Sequence, residues 1–437
     1  MLTGSCSQTE RKTKEIQLTH GAYGHFLNST QAFSPDDQWI VYDTRNNDGG
    51  IGVTGAIEMV NISGEAPKLL YKTKNQTKFG PGVGAATFSP VAQRVLFIHG
   101  IRNANEDQPY GMSRRTGVAV DIDKPGEPIF MDARNIKAPF TPGALRGGTH
   151  AYSWSGDGEW ICFTYNDYLI EQLSKADSAY RDLRTIAVMA PGKVTVITGS
   201  TEENNSGEKF SAVVAVVRET PRPGSDEIDK AFDEGWVGKK GYQKADGTWQ
   251  NRAVAFQGNV RGEHNETFTE IFIADIPDDI TRAKEGLPLE GTVATRPHTP
   301  EGCHQRRLTR IEGGISGPRH WLKSVSDGSL ILFLNKDADG VVQVYGVSPN
   351  GGAVKQITFN SFSVEGPINI SPDDKSVAYI ADNSVFVTDI TNGNTQRLTN
   401  SHAEEKPEGA VIWSNNGKML AFNKRVNGFY QIFLITI

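Results

Sequence analysis

Trp154-Ser155-Gly156-Asp157-Gly158-Glu159-Trp160-Ile161-Cys162-Phe163 is the stretch on which the fold turns. It reads as an apolar residue, a serine, a tight polar turn and an alternating apolar strand. The same pattern runs from Phe33-Ser34 to Tyr42, Phe88-Ser89 to Phe97, Val325-Ser326 to Phe333, Ile370-Ser371 to Tyr379 and Trp413-Ser414 to Phe422. The serines are 55, 66, 171, 45 and 43 residues apart. The long gap holds Lys209–Val217, Arg252–Phe256 and Glu270–Asp275, which read together as one enlarged, degenerate unit and bring the count to seven. Recurrent units of about 40–50 residues with several short strands each are the mark of a β-propeller.

A second rhythm ends the units: Arg307-Leu308-Thr309, Gln356-Ile357-Thr358 and Arg397-Leu398-Thr399. The last unit, ending at Ile437, lacks it, and Ile16-Gln17-Leu18-Thr19 supplies it from the other end of the chain. The expectation is an all-β, seven-bladed ring in which the N-terminal strand joins the last blade, so that no sheet edge is left open. The two rhythms resemble the TolB-like propeller repeat. The domain reading is a flexible segment over 1–12 and a single propeller over 13–437. Two ordered excursions interrupt it, near 103–148 and 219–250, with a short helix expected over Asp226–Glu234.

Composition narrows the partners. Net charge is −6, with 22% charged and 37% hydrophobic residues, and no basic stripe appears. A nucleic-acid partner is therefore not expected. No apolar run approaches the length of a membrane span, and a ring of this size needs no second copy, so a monomer is expected. Of three cysteines, Cys162 sits in an apolar strand pattern, whereas Met1-Leu2-Thr3-Gly4-Ser5-Cys6-Ser7 looks like the end of a lipoprotein signal. That reading expects an exported protein, periplasmic or a cell-surface lipoprotein of a Gram-negative bacterium; the plainer one is a free cysteine in a frayed terminus.

In a propeller blade the innermost strand runs from one rim to the turn and the second strand returns. Residues just before the serine motif and just after the next strand therefore share a rim. His25, His150 and Arg319-His320 come before; Asp43, Arg45, His99, Tyr165, Asp167, Tyr168 and Lys336 come after. A single histidine in such a place is more often a hydrogen-bonded loop residue than a functional one. The cluster, however, joins groups that bind carboxylates to groups that move protons. Paired carboxylates for glycoside hydrolysis are missing there. So are a nucleophile elbow, a P-loop and a His-Glu-x-x-His motif, and Gly147-Gly148 alone is a weak phosphate signal. His264, Cys303, His304 and His320 have the atom types for a structural zinc or other divalent cation, in no recognised spacing; catalysis is expected to need no cofactor.

Gln108-Pro109-Tyr110 with Arg114-Arg115, Pro142-Gly143-Ala144-Leu145-Arg146-Gly147-Gly148-Thr149-His150, and Phe163-Thr164-Tyr165-Asn166-Asp167-Tyr168 resemble the propeller-type ulvan lyases and their uncharacterised relatives. So do Pro223-Gly224-Ser225-Asp226, Arg252–Gly258 and Gly317-Pro318-Arg319-His320-Trp321. The resemblance implies β-elimination on an acidic, uronate-containing polysaccharide or oligosaccharide. His150 matches the family's histidine after Gly-Gly-Thr and would be base or acid partner, with Tyr168 or Tyr165 the other proton carrier. Where the family has Tyr-Glu-Asp-His, this chain has Tyr165-Asn166-Asp167-Tyr168, a departure that touches the proton-transfer pair itself. Arg146, Arg184 or Arg252 would neutralise the carboxylate, and His99, Arg45, His25 and Arg319 would contact the substrate. The competing reading is a non-catalytic propeller that binds glycans or proteins.

Overall fold

The computed structural model describes residues 9–10, 13–400 and 402–437. Cys6, and with it the lipoprotein expectation, lies outside the described residues. No described helix is long and apolar enough to cross a membrane.

Seven blade sheets follow one another along the chain, antiparallel except where Thr9–Glu10, within the segment expected to be flexible, runs parallel to Thr395–Arg397 at the edge of blade six. Blade one has Trp39–Asp43, Ala56–Asn61 and Lys68–Lys72, with an irregular inner edge bridged at Phe26 and Phe33. Blade two begins with Val83–Phe88, blade three with Gly147–Trp154, blade four with Ile228–Trp236. Blades five, six and seven begin with Lys323–Ser324, Asn369–Ile370 and Pro407–Trp413. Ile16–Gln17 pairs antiparallel with Phe429–Thr436, the third strand of blade seven, Ile16 opposite Leu434, and becomes that blade's outer strand, so the ring closes as the sequence predicts.

Both sequence rhythms have a local chemical cause. The Ser155 hydroxyl donates to Asp157 Oδ1 at 2.5 Å and accepts from the Trp160 amide at 2.9 Å. It thus ties the two ends of the turn together. Ser34, Ser371 and Ser414 repeat the arrangement with Asp36, Asp373 and Asn416. In the Leu-Thr rhythm the threonine hydroxyl takes an amide of the third strand: Thr309 from Ile271, Thr358 from Val344, Thr399 from Val385. Thr19 does this for Ile432 at 2.8 Å, across the closure. The core lies between neighbouring blades: Leu96, Tyr152 and Phe163 join blades two and three, and Cys162, Val188, Phe256 and Phe272 join three and four. Leu18 packs with Phe33, Ile432 and Leu434, which makes closure part of the core.

Three expectations are corrected. No helix forms over Asp226–Glu234; Ile228–Trp236 is the innermost strand of blade four, bulged at two places. Its acids look helical in sequence, but they are satisfied by other elements: Asp229 by Arg261, Asp233 by Arg319, Glu234 by Thr164. Lys209–Val213 is not part of the enlarged unit but of blade three's outer strand, Gly207–Val213. The excursions are shorter than drawn, since 103–148 includes Arg115–Asp121 and Ile129–Phe130 of blade two. One helix, Tyr168–Ala176, went unforeseen. Asp167 caps it, Oδ1 accepting from the amides of Leu169 and Ile170 at 2.9 and 3.1 Å.

Candidate functional site: an arginine-ringed histidine

The innermost strands share a kink. Blades two, three, four and seven each carry a bulge at the same level, and the residue in it has positive φ: Ala85 at 55°, Ala151 at 62°, Asp233 at 53° and Gly409 at 77°. Three of the four are not glycine, so the chain keeps strained backbone there, and bulges of this kind re-aim side chains at functional sites. Glycine is demanded next to it for a different reason. A Cβ on Gly148 would stand 1.8 Å from the Met112 carbonyl oxygen, and one on Gly147 1.8 Å from that of Asn166. Gly147-Gly148 is close packing of blade three, which positions His150.

His150 is 4% exposed, and neither ring nitrogen has a hydrogen-bond partner among the described residues. It lines a cavity of about 200 Å³ together with Arg115, Arg184, Arg319, Arg45 and Trp321. Burial holds its pKa well below the usual 6.5, and Arg115, Arg184 and Arg319 push it further in the same direction. The imidazole is therefore neutral, with a free lone pair, at any physiological pH.

The arginines are not equivalent. Arg45 donates to Asp43 through Nε and Nη2 at 2.6 and 2.9 Å and also holds the Asp48 carbonyl, so its charge is already balanced. Arg319 reaches Asp233 at 3.2 Å and is 51% exposed. Arg115 lies over the Tyr110 ring at 4.7 Å, and Arg184 is 3.4 Å from Asn166 Oδ1. No described carboxylate lies within ion-pair distance of either. Three guanidiniums thus face the histidine with one carboxylate among them, an arrangement suited to a ligand carboxylate. A neighbouring cavity of about 440 Å³ shares Arg184 and Arg319 and adds Lys230 and Gln257, so the basic surface continues along a cleft.

Comparison with known proteins places the chain. A domain family described as a protein of unknown function, DUF3748, matches residues 82–205, which include His150, Arg115 and Arg184. The uncharacterised protein YidR of Escherichia coli (strain K12) is 35% identical over 414 residues, covering 93% of this chain and 94% of that one. The chain belongs to the YidR family. Among solved structures, the oligogalacturonate lyase of Vibrio parahaemolyticus is similar with a TM-score of 0.53 at 10% identity, covering 97% of this chain and 94% of that one. An oligogalacturonate lyase in complex with manganese is similar with a TM-score of 0.50 at 12% identity, covering 98% of each chain. At these identities the likeness shows the shared propeller fold.

In this YidR-family chain the other predicted site residues are dispersed. The Tyr165 hydroxyl donates to Asp167 Oδ2 at 3.0 Å and lines a separate cavity; Tyr168 lies over Arg134 and Arg114, outside the cavity lining of His150. Arg146 is fully buried against Asp167 and the carbonyls of Thr292 and Thr295. Arg252 pairs with Asp157 in the Ser-Asp turn, at the opposite rim. His25 packs between Tyr23 and Tyr42, and His99 binds Tyr71 and the Gly100 carbonyl. The predicted metal set does not assemble. His264 and His304 are exposed, and the buried Cys303 thiol, pushed up to about 12, donates to the Val214 carbonyl. Among the described residues no three His, Cys, Asp or Glu side chains stand where they could share an ion.

His320 lines the larger cavity, but its ring is committed. Nδ1 is 2.9 Å from the Pro318 carbonyl, and Nε2 accepts from the Leu334 amide at 3.0 Å. Burial lowers its pKa from 6.5 to about 4. The unfolded chain binds this proton below pH 6.5 and the folded one does so only near 4, so the group costs stability as pH falls through that window. Relative to His320→Gln, the wild-type unfolding free energy should drop by roughly 3 kcal/mol between pH 7 and 4. Denaturant titrations at several pH values check this, and a constant difference would refute it.

Sequence reasoning missed Arg115 as a site residue, yet a signal exists. Arg115-Thr116 and Arg184-Thr185 open the third strands of adjacent blades, with Thr116 paired to His99 and Thr185 to Tyr165. The same dipeptide at the same blade position delivers both guanidiniums to the same cavity.

Proposed function

We propose that the protein is a polysaccharide lyase that cleaves a uronate-containing, ulvan-like polysaccharide or oligosaccharide by β-elimination at His150. The observation that carries this reading is the neutral, unpartnered His150 imidazole facing Arg115, Arg184 and Arg319. The arginines hold the uronate carboxylate and stabilise the charge that spreads into it when C5 loses its proton. The His150 lone pair takes that proton, the C5 electrons form the C4=C5 double bond, and the C4–O4 bond breaks. Neither Tyr165 nor Tyr168 lines the His150 cavity, so the imidazolium itself returns the proton to O4; the surrounding arginines make it a strong acid. The cleft shared through Arg184 and Arg319 suits a chain with more than one acidic sugar. Oligogalacturonate lyase shares this architecture, which is support from fold alone.

One group serving as base and then acid works on one face of the sugar. In D-glucuronate H5 and O4 lie on the same face; in D-galacturonate they lie on opposite faces. The protein should therefore release unsaturated product, seen as new ultraviolet absorbance, from glucuronate-containing polymers in preference to polygalacturonate. Arg184→Gln should raise KM roughly 10–100-fold, the weight of a lost hydrogen bond to a charged group, with a smaller effect on kcat. Saturable binding of uronate oligomers with no unsaturated product would instead make the propeller a glycan-binding module.

A further inference from the structure

Behind the arginine ring, towards the opposite rim, lies a further cavity of about 250 Å³. Its walls come from the innermost strands of several blades: Ser153 and Trp154 of blade three, Glu234 and Trp236 of blade four, Trp321 and Lys323 leading blade five. Trp321 also lines the His150 cavity, so one indole separates the two chambers. Lys323 donates to the Ser29 carbonyl at 3.1 Å. Ser29 belongs to the inner edge of blade one, which does not adjoin blade five in a seven-blade ring, so this bond crosses the central channel.

The chamber is rich in unspent polar groups. Glu234 is 1% exposed; Oε2 accepts from Thr164 Oγ1 at 2.8 Å, while Oε1 has no partner among the described residues. The indole N–H groups of Trp154 and Trp321 also lack partners among the described residues, and no described carboxylate lies within ion-pair distance of Lys323. Buried polar groups are normally paired, and several unpaired ones on residues that line one cavity point to a ligand. Burial pushes Glu234 up to about 8 and pulls Lys323 down to about 8, so near pH 7 the first is a neutral donor and the second still cationic. The chamber therefore presents the Lys323 ammonium, hydrogen-bond donors and three indoles, with Lys239 and Asp374 also in its wall. Aromatic faces suit the C–H faces of a pyranose ring, and the ammonium suits a carboxylate.

We infer that this chamber is a second ligand site, distinct from the His150 cavity, that binds a single acidic monosaccharide with its carboxylate on Lys323 and its ring against Trp154, Trp236 and Trp321. The site does not depend on the lyase reading and would stand without it.

The test is titration of D-glucuronate, D-glucose and acetate into the full chain, followed by tryptophan fluorescence and calorimetric stoichiometry. Arg184→Gln weakens the first cavity; glucuronate should still bind this variant saturably, at one site, with altered indole fluorescence. Lys323→Met in that background should weaken binding at least tenfold. Trp154→Leu provides a second variant should Lys323→Met not fold, and it should weaken binding as well. Glucuronate should bind more tightly than either glucose or acetate. The inference is overturned if no saturable binding survives in Arg184→Gln, or if both chamber variants bind as that background does. Equal affinity for acetate would overturn the sugar assignment, and equal affinity for glucose the role of Lys323. Lyase activity is read separately by product absorbance, so failure of one proposal leaves the other intact.

Discussion

His150→Ala is expected to lower kcat/KM for unsaturated-uronate release by about 10²–10⁴-fold, the span typical of a positioned general base, without unfolding the ring. The side chain makes no hydrogen bond among the described residues, so its removal orphans no described partner. The pH profile makes the prediction specific. Burial, and then Arg115, Arg184 and Arg319, hold the His150 pKa well below 6.5, so the free protein keeps a neutral base far into acid. The acid limb of kcat/KM, which reports the free protein, should accordingly lie well below 6.5. Arg115→Gln removes one cation and should move that limb upward. In the complex the substrate carboxylate offsets the arginines, so the acid limb of kcat should stand above that of kcat/KM. Undiminished release by His150→Ala, or a kcat/KM limb that ignores Arg115→Gln, would remove His150 from the chemistry.

What could be read from sequence tracks how local the governing interactions are. The serine turn and the Leu-Thr rhythm each spend a side chain on backbone bonds that recur in blade after blade. Repetition therefore exposed the fold, the blade count and the closure together. The inner strand of blade four hid because its acids find partners elsewhere: Asp233 lies 86 residues from Arg319, and Glu234 lies 70 from Thr164. Two bulges also erase its alternation. The same limit governed the site. Rim geometry brought out His150 and Arg319, but charge alone does not reveal whether a guanidinium is already matched. Arg252 has Asp157, 95 residues distant in sequence, and Arg146 has Asp167. The family-like motif around Arg146 is thus structural at its arginine and open at its histidine, four residues on.

Arg146 shows how large that difference should be in measurement. Its side chain is fully buried; Nε and Nη2 meet Asp167 Oδ2 at 3.2 and 2.7 Å, and the guanidinium also holds the Thr292 and Thr295 carbonyls. Asp167 in turn accepts from the Tyr165 hydroxyl and caps the helix Tyr168–Ala176. One ion pair therefore joins the innermost strand of blade three, its helix and the loop carrying Thr292–Thr295. Arg146→Met would leave Asp167 charged, buried and unpaired, a change that typically costs about 3–5 kcal/mol. Arg146→Lys keeps a charge but loses the planar fork, and should recover only part of that loss. Chemical denaturation reads both. A carboxylate-binding arginine would behave in the opposite way: stability nearly unchanged, and KM raised as for Arg184→Gln. If Arg146→Met leaves the unfolding midpoint in place and weakens substrate binding instead, the assignment of the two arginines must be exchanged, and the carboxylate cradle would sit at the outer end of the rim beside Tyr168 rather than around His150.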